Sequence, residues 1–230
     1  MKFLVTNYLD LEDFPFADLF EGVEQCYEVL GDPLKEYCAK FKGVTIRGKV
    51  MEGAHLEGEG IFIGKDSVVE PGAYIKGPCV IGDHVEVRHG AYLRGNVVVG
   101  NHAVVGHATE VKNSVFLSHA KAGHFAYVGD SVLGHNVNLG AGTKLANLKI
   151  IPSNIVLRCD GEKIVTKYRK MGAILGNGVE IGCNAVTSPG TILAPGSMVY
   201  PAIGIRGAFR DKRIFRESNM TGRGEGPKSS

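Results

Sequence analysis

Residues 63–117 read IGKDSVVEPGAYIKGPCVIGDHVEVRHGAYLRGNVVVGNHAVVGHATEVKNSVFL. Stepping by six from Ile63 meets Val69, Ile75, Ile81, Val87, Leu93, Val99, Val105, Val111 and Leu117, and every one is Ile, Val or Leu. Four residues after each of the first nine stand Ser67, Ala73, Cys79, Val85, Ala91, Val97, Ala103, Thr109 and Val115, all small or β-branched. A helix repeats every 3.6 residues and a strand every two, so neither produces this register. A six-residue unit with one obligate aliphatic is one side of a three-sided coil. The aliphatic points inward from each short strand, and glycines such as Gly64, Gly82, Gly100 and Gly106 are expected at the corners. No coil buries its aliphatics alone, so stacking of coils supplies the core.

The register returns at Leu175, Ile181, Thr187, Leu193 and Val199. Between the two runs it breaks twice. After Leu117 the six-step lands on Gly123 and Gly129, and aliphatics resume at Leu133, Leu139 and Leu145. Residues 149–171 form a second interruption, with Lys149, Arg158, Lys163, Lys167, Arg169 and Lys170. Insertions in a solenoid map to loops on its faces, often the binding face, and a basic loop there predicts an anion clamp. Upstream, Leu19, Phe20, Val23, Tyr27 and Leu30 have helical spacing, as do Leu34, Tyr37, Cys38 and Phe41. Gly31-Asp32-Pro33 between them reads as helix stop, N-cap and N1 proline. Two short helices are expected to plug the open end of the coil stack. The chain divides into a helical cap over 1–42, the coil domain over 43–207 with its insertion at 149–171, and a basic C-terminal segment over 208–230. Beyond Phe215 no apolar pattern remains, and a disordered tail is expected.

The formal charge is +2, from 26 basic and 24 acidic residues, which argues against bulk binding of nucleic acid or a membrane surface. The 32 glycines fit a fold with many tight corners. Five cysteines, an odd number without C-x-x-C spacing, give no metal site; Cys79 and Cys183 are expected as buried thiols. The N-terminal MKFLVTNYLDLEDF has no signal-peptide core, and no run is long enough to span a bilayer. The expected location is a reducing cytoplasm.

Residues Lys121-Ala122-Gly123-His124-Phe125-Ala126-Tyr127-Val128-Gly129-Asp130 and Asn136-Val137-Asn138-Leu139-Gly140-Ala141-Gly142-Thr143 resemble the acetyltransferase half of bifunctional glucosamine-1-phosphate N-acetyltransferase/N-acetylglucosamine-1-phosphate uridylyltransferase. Ala146-Asn147-Leu148-Lys149 and Arg169-Lys170-Met171-Gly172-Ala173-Ile174-Leu175-Gly176 are similar to the archaeal sugar-1-phosphate nucleotidylyltransferases that carry the same C-terminal domain. The likeness covers roughly residues 44–205. It implies the hand of the coil, a left-handed parallel β-helix that is all-β apart from its helical cap. It also implies a homotrimer with sites between neighbouring subunits, acetyl-CoA as co-substrate, and an amino-sugar phosphate as acceptor for UDP-N-acetylglucosamine biosynthesis. In that resemblance His124 is the general base, and Asn147 lies near the amine and thioester. Arg94 and Lys112 hold the sugar phosphate or the product's nucleotide, and Tyr127 and Asn138 contact the sugar. Ala141, Cys183 and Pro201 line the acetyl-CoA groove, where the family has Ser and Ala at the last two positions. Leu148-Lys149-Ile150 departs from the bacterial Tyr-Asp-Gly and bears on which sugar is taken. The family's N-terminal nucleotide-binding domain is missing from this sequence, so no uridylyltransferase activity is expected of it.

Two other readings compete. His119-x4-His124 and His102-x4-His107 have spacing reminiscent of the zinc enzymes of the γ-carbonic-anhydrase type, with a third histidine from a neighbouring chain. A catalytically silent subunit, for assembly or regulation, is the other. The intact His124, Tyr127, Asn138 and Asn147 favour acetyl transfer over both.

Overall fold

In the computed structural model, which describes residues 2–219, the chain winds into a left-handed parallel β-helix with three flat faces. The faces are parallel sheets of eight, nine and eight strands. The first face begins at Val44–Ile46 and ends at Thr191–Leu193, the second begins at Lys49–Val50 and ends at Ile214–Phe215, and the third begins at His55–Glu57 and ends at Gly204–Ile205. Each strand pairs with its equivalent one coil away, as Ile63 with Ile81 and Ile81 with Val99. Parallel pairing between equivalent positions stacks like on like, so the aliphatic steps form one continuous buried column. Each buried aliphatic contributes about 1.5–3 kcal/mol. Two small polar residues that enter this column have partners in reach: Ser67 donates to the Gly82 carbonyl at 2.7 Å, and Thr109 donates to that of Ala122 at 3.1 Å.

The inward register departs from the six-step one strand earlier than the sequence implied. Phe116, not Leu117, points into the prism, followed by Ala122 and Val128. Leu117 lies outside the prism, in the second apolar cluster. The cause is a shortened corner: Asn113 and Asp130 each turn the chain at left-handed φ values of 46° and 49°. Corner glycines also differ from expectation. The turns between the first and second faces are made by Asp66, His84, His102 and His119, all at positive φ. Gly82 is small for another reason, since a Cβ there would come within 2.5 Å of the Asn101 side-chain oxygen.

The first face is apolar on both sides. Its outward residues Val80, Val98, Val115, Val132, Ile174 and Ile192 are all buried. What covers them is the N-terminal segment, which lies lengthwise along this face instead of plugging an end. Tyr8 donates its hydroxyl to the Phe209 carbonyl at 2.9 Å near the last coil. Ser118 donates to the Asp13 carbonyl at 2.8 Å at mid-length, and Phe41 meets Phe62 at 5.9 Å near the first coils. A face with six outward Val and Ile residues presents far more apolar surface than an end, so burial there wins. The second predicted helix forms over Asp32–Cys38, with Gly31 as its cap at φ 81°. The first reduces to a 3-10 turn, Ala17–Phe20.

The insertion also goes to this side. Val156–Cys159 and Glu162–Val165 pair as an antiparallel hairpin, whose Ile155 and Leu157 join the same apolar cluster. Tyr168 anchors it by donating to the Leu30 carbonyl at 3.2 Å and by an edge-on contact with Tyr27. The expected C-terminal tail falls largely on residues 220–230, outside the described residues. Among the described residues no helix is long and apolar enough to cross a membrane.

Candidate functional site

Outward positions on the second face decide what that face can hold. Gly106, Gly123, Gly140 and Gly182 recur one coil apart and leave a floor without side chains. Gly140 tolerates no larger residue, because a Cβ would come within 2.5 Å of the Cys183 backbone nitrogen. One residue further along each coil stand His107, His124, Ala141, Cys183 and Pro201. His107 and His124 pair directly across adjacent strands. This column borders two adjoining hollows of about 570 and 400 Å³ that share Asn138, Gly140 and Cys183. The result is a groove running up the second face from His84 and Arg88 to Tyr200 and Pro201.

Within the groove, His124 ends the strand Lys121–His124 and is exposed. Its ring makes no hydrogen bond among the described residues; its nearest ring neighbour is Phe125, with centroids 6.4 Å apart. Asn138 donates its amide to Glu180 at 3.0 Å, which fixes its orientation. The backbone N–H groups of Ala141 and Cys183 donate to nothing among the described residues, so both remain available to a ligand. Cys183 is exposed, a correction to the expectation of a buried thiol; Cys79 is fully buried, and burial pushes its thiol up to about 12. Cys183 belongs to the outward column, whereas Cys79 sits on the inner side of its strand.

The remaining expected site residues lie elsewhere. Arg94, Lys112 and Tyr127 belong to third-face strands, with Tyr92, Glu110 and Tyr127 in one cross-strand column. Arg94 donates to Glu110 at 2.5 Å. Lys112 has no acidic partner among the described residues. Burial, then Glu110 and Asp130, push the Tyr127 phenol above its ordinary value, and the Asn147 amide draws it back. Asn147 is buried at 9% exposure and donates its amide to Asp130. It ends a ladder along the corner between third and first faces: Asn96 donates to Asn113, and Asn113 to Asp130, each at 3.1 Å. Those residues are 17 apart, the length of the shortened coil, so the spacing itself was the signal that would have revealed Asp130. Glu180, the other residue missed, carried no such mark.

One chain therefore divides the expected site. His124, Asn138, Ala141, Cys183 and Pro201 lie on or beside the second face, while Arg94, Lys112, Tyr127 and Asn147 lie on the third face and its far corner. The histidine pairs divide as well. His102 and His119 stack at the corner between first and second faces, 4.8 Å apart, with His84 continuing the stack at 4.7 Å. His107 and His124 sit at the opposite edge of the second face. Among the described residues no group of three or more His, Cys, Asp or Glu is arranged to hold a metal ion.

Residues 75–195 match the family model described as the GMPPB C-terminal domain. Over 154 residues, 67% of this chain, it is 34% identical to the bifunctional sugar-1-phosphate nucleotidylyltransferase/acetyltransferase of Sulfurisphaera tokodaii, covering 38% of that protein. Over 193 residues, 80% of this chain, it is 31% identical to the bifunctional protein GlmU of Wigglesworthia glossinidia brevipalpis, covering 40% of that protein. The chain thus spans well under half the length of these relatives. Among solved structures, the acetyltransferase domain of PglB from Neisseria gonorrhoeae is similar at a TM-score of 0.28 and 18% identity, over 68% of this chain and 55% of that one. A likeness at that level carries no weight for function.

Proposed function

This chain belongs to the GMPPB C-terminal domain family, and on that premise we propose that it is an acetyl-CoA-dependent N-acetyltransferase for an amino-sugar 1-phosphate such as glucosamine 1-phosphate. The reading places it in the cytoplasm, supplying UDP-N-acetylglucosamine biosynthesis. One observation carries it: an exposed imidazole with no hydrogen bond among the described residues, His124, at the head of a glycine-floored groove. The groove suits an extended thioester ligand. A strip of Gly123, Gly140 and Gly182 runs along it, its edge is the Ala141–Cys183–Pro201 column, and two backbone N–H groups there are available.

In this mechanism His124 accepts the proton released as the sugar's C2 amine attacks the thioester carbon. Imidazole suits that role because its ordinary pKa lies near neutrality. The C–S bond breaks, and the departing thiolate takes the proton back from His124. The N–H groups of Ala141 and Cys183 are the donors we assign to the oxyanion, an effect worth about 3–4 kcal/mol per donor in other enzymes. Asn147 is assigned a positioning task. Asp130 holds one hydrogen of its amide, and the amide lies against the Tyr127 phenol, so we assign it the orienting of Tyr127. Lys112 and Arg94 take the sugar phosphate, with Arg94 exchanging Glu110 for it.

Those phosphate ligands and His124 occupy different faces of one prism. We therefore propose a homotrimer in which the second face of one copy meets the third face of the next. A thiol-release assay with acetyl-CoA and a panel of amino-sugar 1-phosphates tests the reading, alongside sedimentation equilibrium. The expected result is turnover by a trimer, with His124→Ala lowering kcat about 10²–10⁴-fold. Wild-type turnover by His124→Ala removes the base, and an active monomer removes the shared site.

A further inference from the structure

Charge is divided unevenly along the chain. Residues 149–219 carry eleven Lys or Arg against five Asp or Glu, leaving a formal −4 on the rest of a chain whose total is +2. Three of those cations, with two of the five carboxylates, line a cleft of about 460 Å³ between the tip of the hairpin and the last coil. Three arginines reach it from separate stretches: Arg158 from the hairpin, Arg206 just after the last third-face strand, and Arg213 just before Ile214–Phe215. No residue lining this cleft lines the groove on the second face.

These guanidiniums are unlike the arginines near the middle of the prism. Arg88 and Arg94 pair with Glu86 and Glu110 at 2.7 and 2.5 Å. Arg158, Arg206 and Arg213 have no ion-pair partner among the described residues. Two carboxylates share the cleft, but Asp160 accepts from the Cys159 thiol and Glu162 is already engaged. Arg213 lies over the Phe209 ring at 4.8 Å, which holds its plane in place. Nearby, the Lys149 ammonium is held below its ordinary value, first by burial and then by Arg206 and Arg158. Three guanidiniums against two carboxylates leave the cleft with a net positive charge, which is relieved when an anion enters.

We propose that this cleft binds a diphosphate group, free or carried by a nucleotide, at a site separate from the acyl-transfer groove. Three planar forks match the oxygens of a diphosphate, each able to donate two parallel N–H bonds. The volume admits a diphosphate with room left for water or for a nucleoside carried on it. Because the cleft and the groove share no lining residue, this inference stands whether or not the acyl-transfer reading does.

Calorimetric titration of the full chain with inorganic pyrophosphate, in magnesium-free buffer, tests it. Saturable binding is expected, weakening with salt, with Arg158→Gln or Arg206→Gln each lowering affinity about tenfold. Both side chains are exposed, and unchanged thermal midpoints will show that the variants fold. Titrating pyrophosphate again in saturating coenzyme A separates the sources: unchanged binding places the diphosphate in its own site. No heat at millimolar pyrophosphate overturns the proposal. So does equal affinity in the variants, or displacement of pyrophosphate by coenzyme A.

Discussion

At position 187 the inward column that elsewhere holds Val, Ile or Leu carries threonine, and its hydroxyl is buried with no hydrogen-bond partner among the described residues. A buried hydroxyl without a partner forfeits its hydration, so Thr187→Val, nearly the same shape, is expected to raise unfolding stability by about 1 kcal/mol in denaturant titrations. A decrease would mean that the hydroxyl is satisfied by something else, such as a buried water. Reading single residues from the sequence worked where the chemistry was unambiguous and failed where two neighbours were alike. Phe116 and Leu117 are both apolar, so the six-step chose the wrong one, and only the shortened corner at Asn113 distinguishes them. Asn147 was legible as a site residue only through resemblance. Its commitment to Asp130 depends on a corner geometry that no motif encodes.

Strands and corners carried more of the message than the inward step used. The first-face strands Ile61–Ile63, Cys79–Ile81, Val97–Val99 and Ala173–Leu175 are apolar at their central, outward residues too, which is the mark of a sheet buried on both sides. That pattern was present in the sequence and would have placed the N-terminal segment and the hairpin on this face. The helix at Asp32–Cys38 was legible from its spacing, while the weaker Leu19–Leu30 pattern gave way to packing against the sheet. The stacked corner of His84, His102 and His119 has a consequence for pH. Burial, then His102, His135 and Lys121, hold the His119 imidazole below its ordinary value, with Asp13 opposing and Asp66 beside His84 at 3.9 Å. A histidine depressed in the fold takes its proton more readily when unfolded. Its contribution is therefore complete above the unfolded pKa of about 6.5 and lost as pH falls through the lower folded value. The thermal midpoint is expected to fall from about pH 7 to pH 5, and His119→Gln to flatten that slope. An identical slope in the variant would assign the loss to other groups.

Across the molecule, the architecture was readable from period alone, and its hand from resemblance. The division of the expected site between two faces was not readable, because a linear register does not say which outward columns share a face. One structural feature bears on how the molecule comes apart. In a bare solenoid each coil touches only its neighbours, so melting proceeds by fraying, and distant coils ignore one another's state. The N-terminal strap contacts the last coil through Tyr8, the middle through Asp13, and the first coils through Phe41. Removing residues 2–42 is expected to turn a single calorimetric transition into overlapping ones, with the van't Hoff enthalpy falling below the calorimetric value. A single sharp peak in the shortened protein would show that the coils need no such tie. With the strap in place, a splint laid along a pile of weakly glued plates makes the pile break as one rod, and a local defect anywhere is felt at both tips.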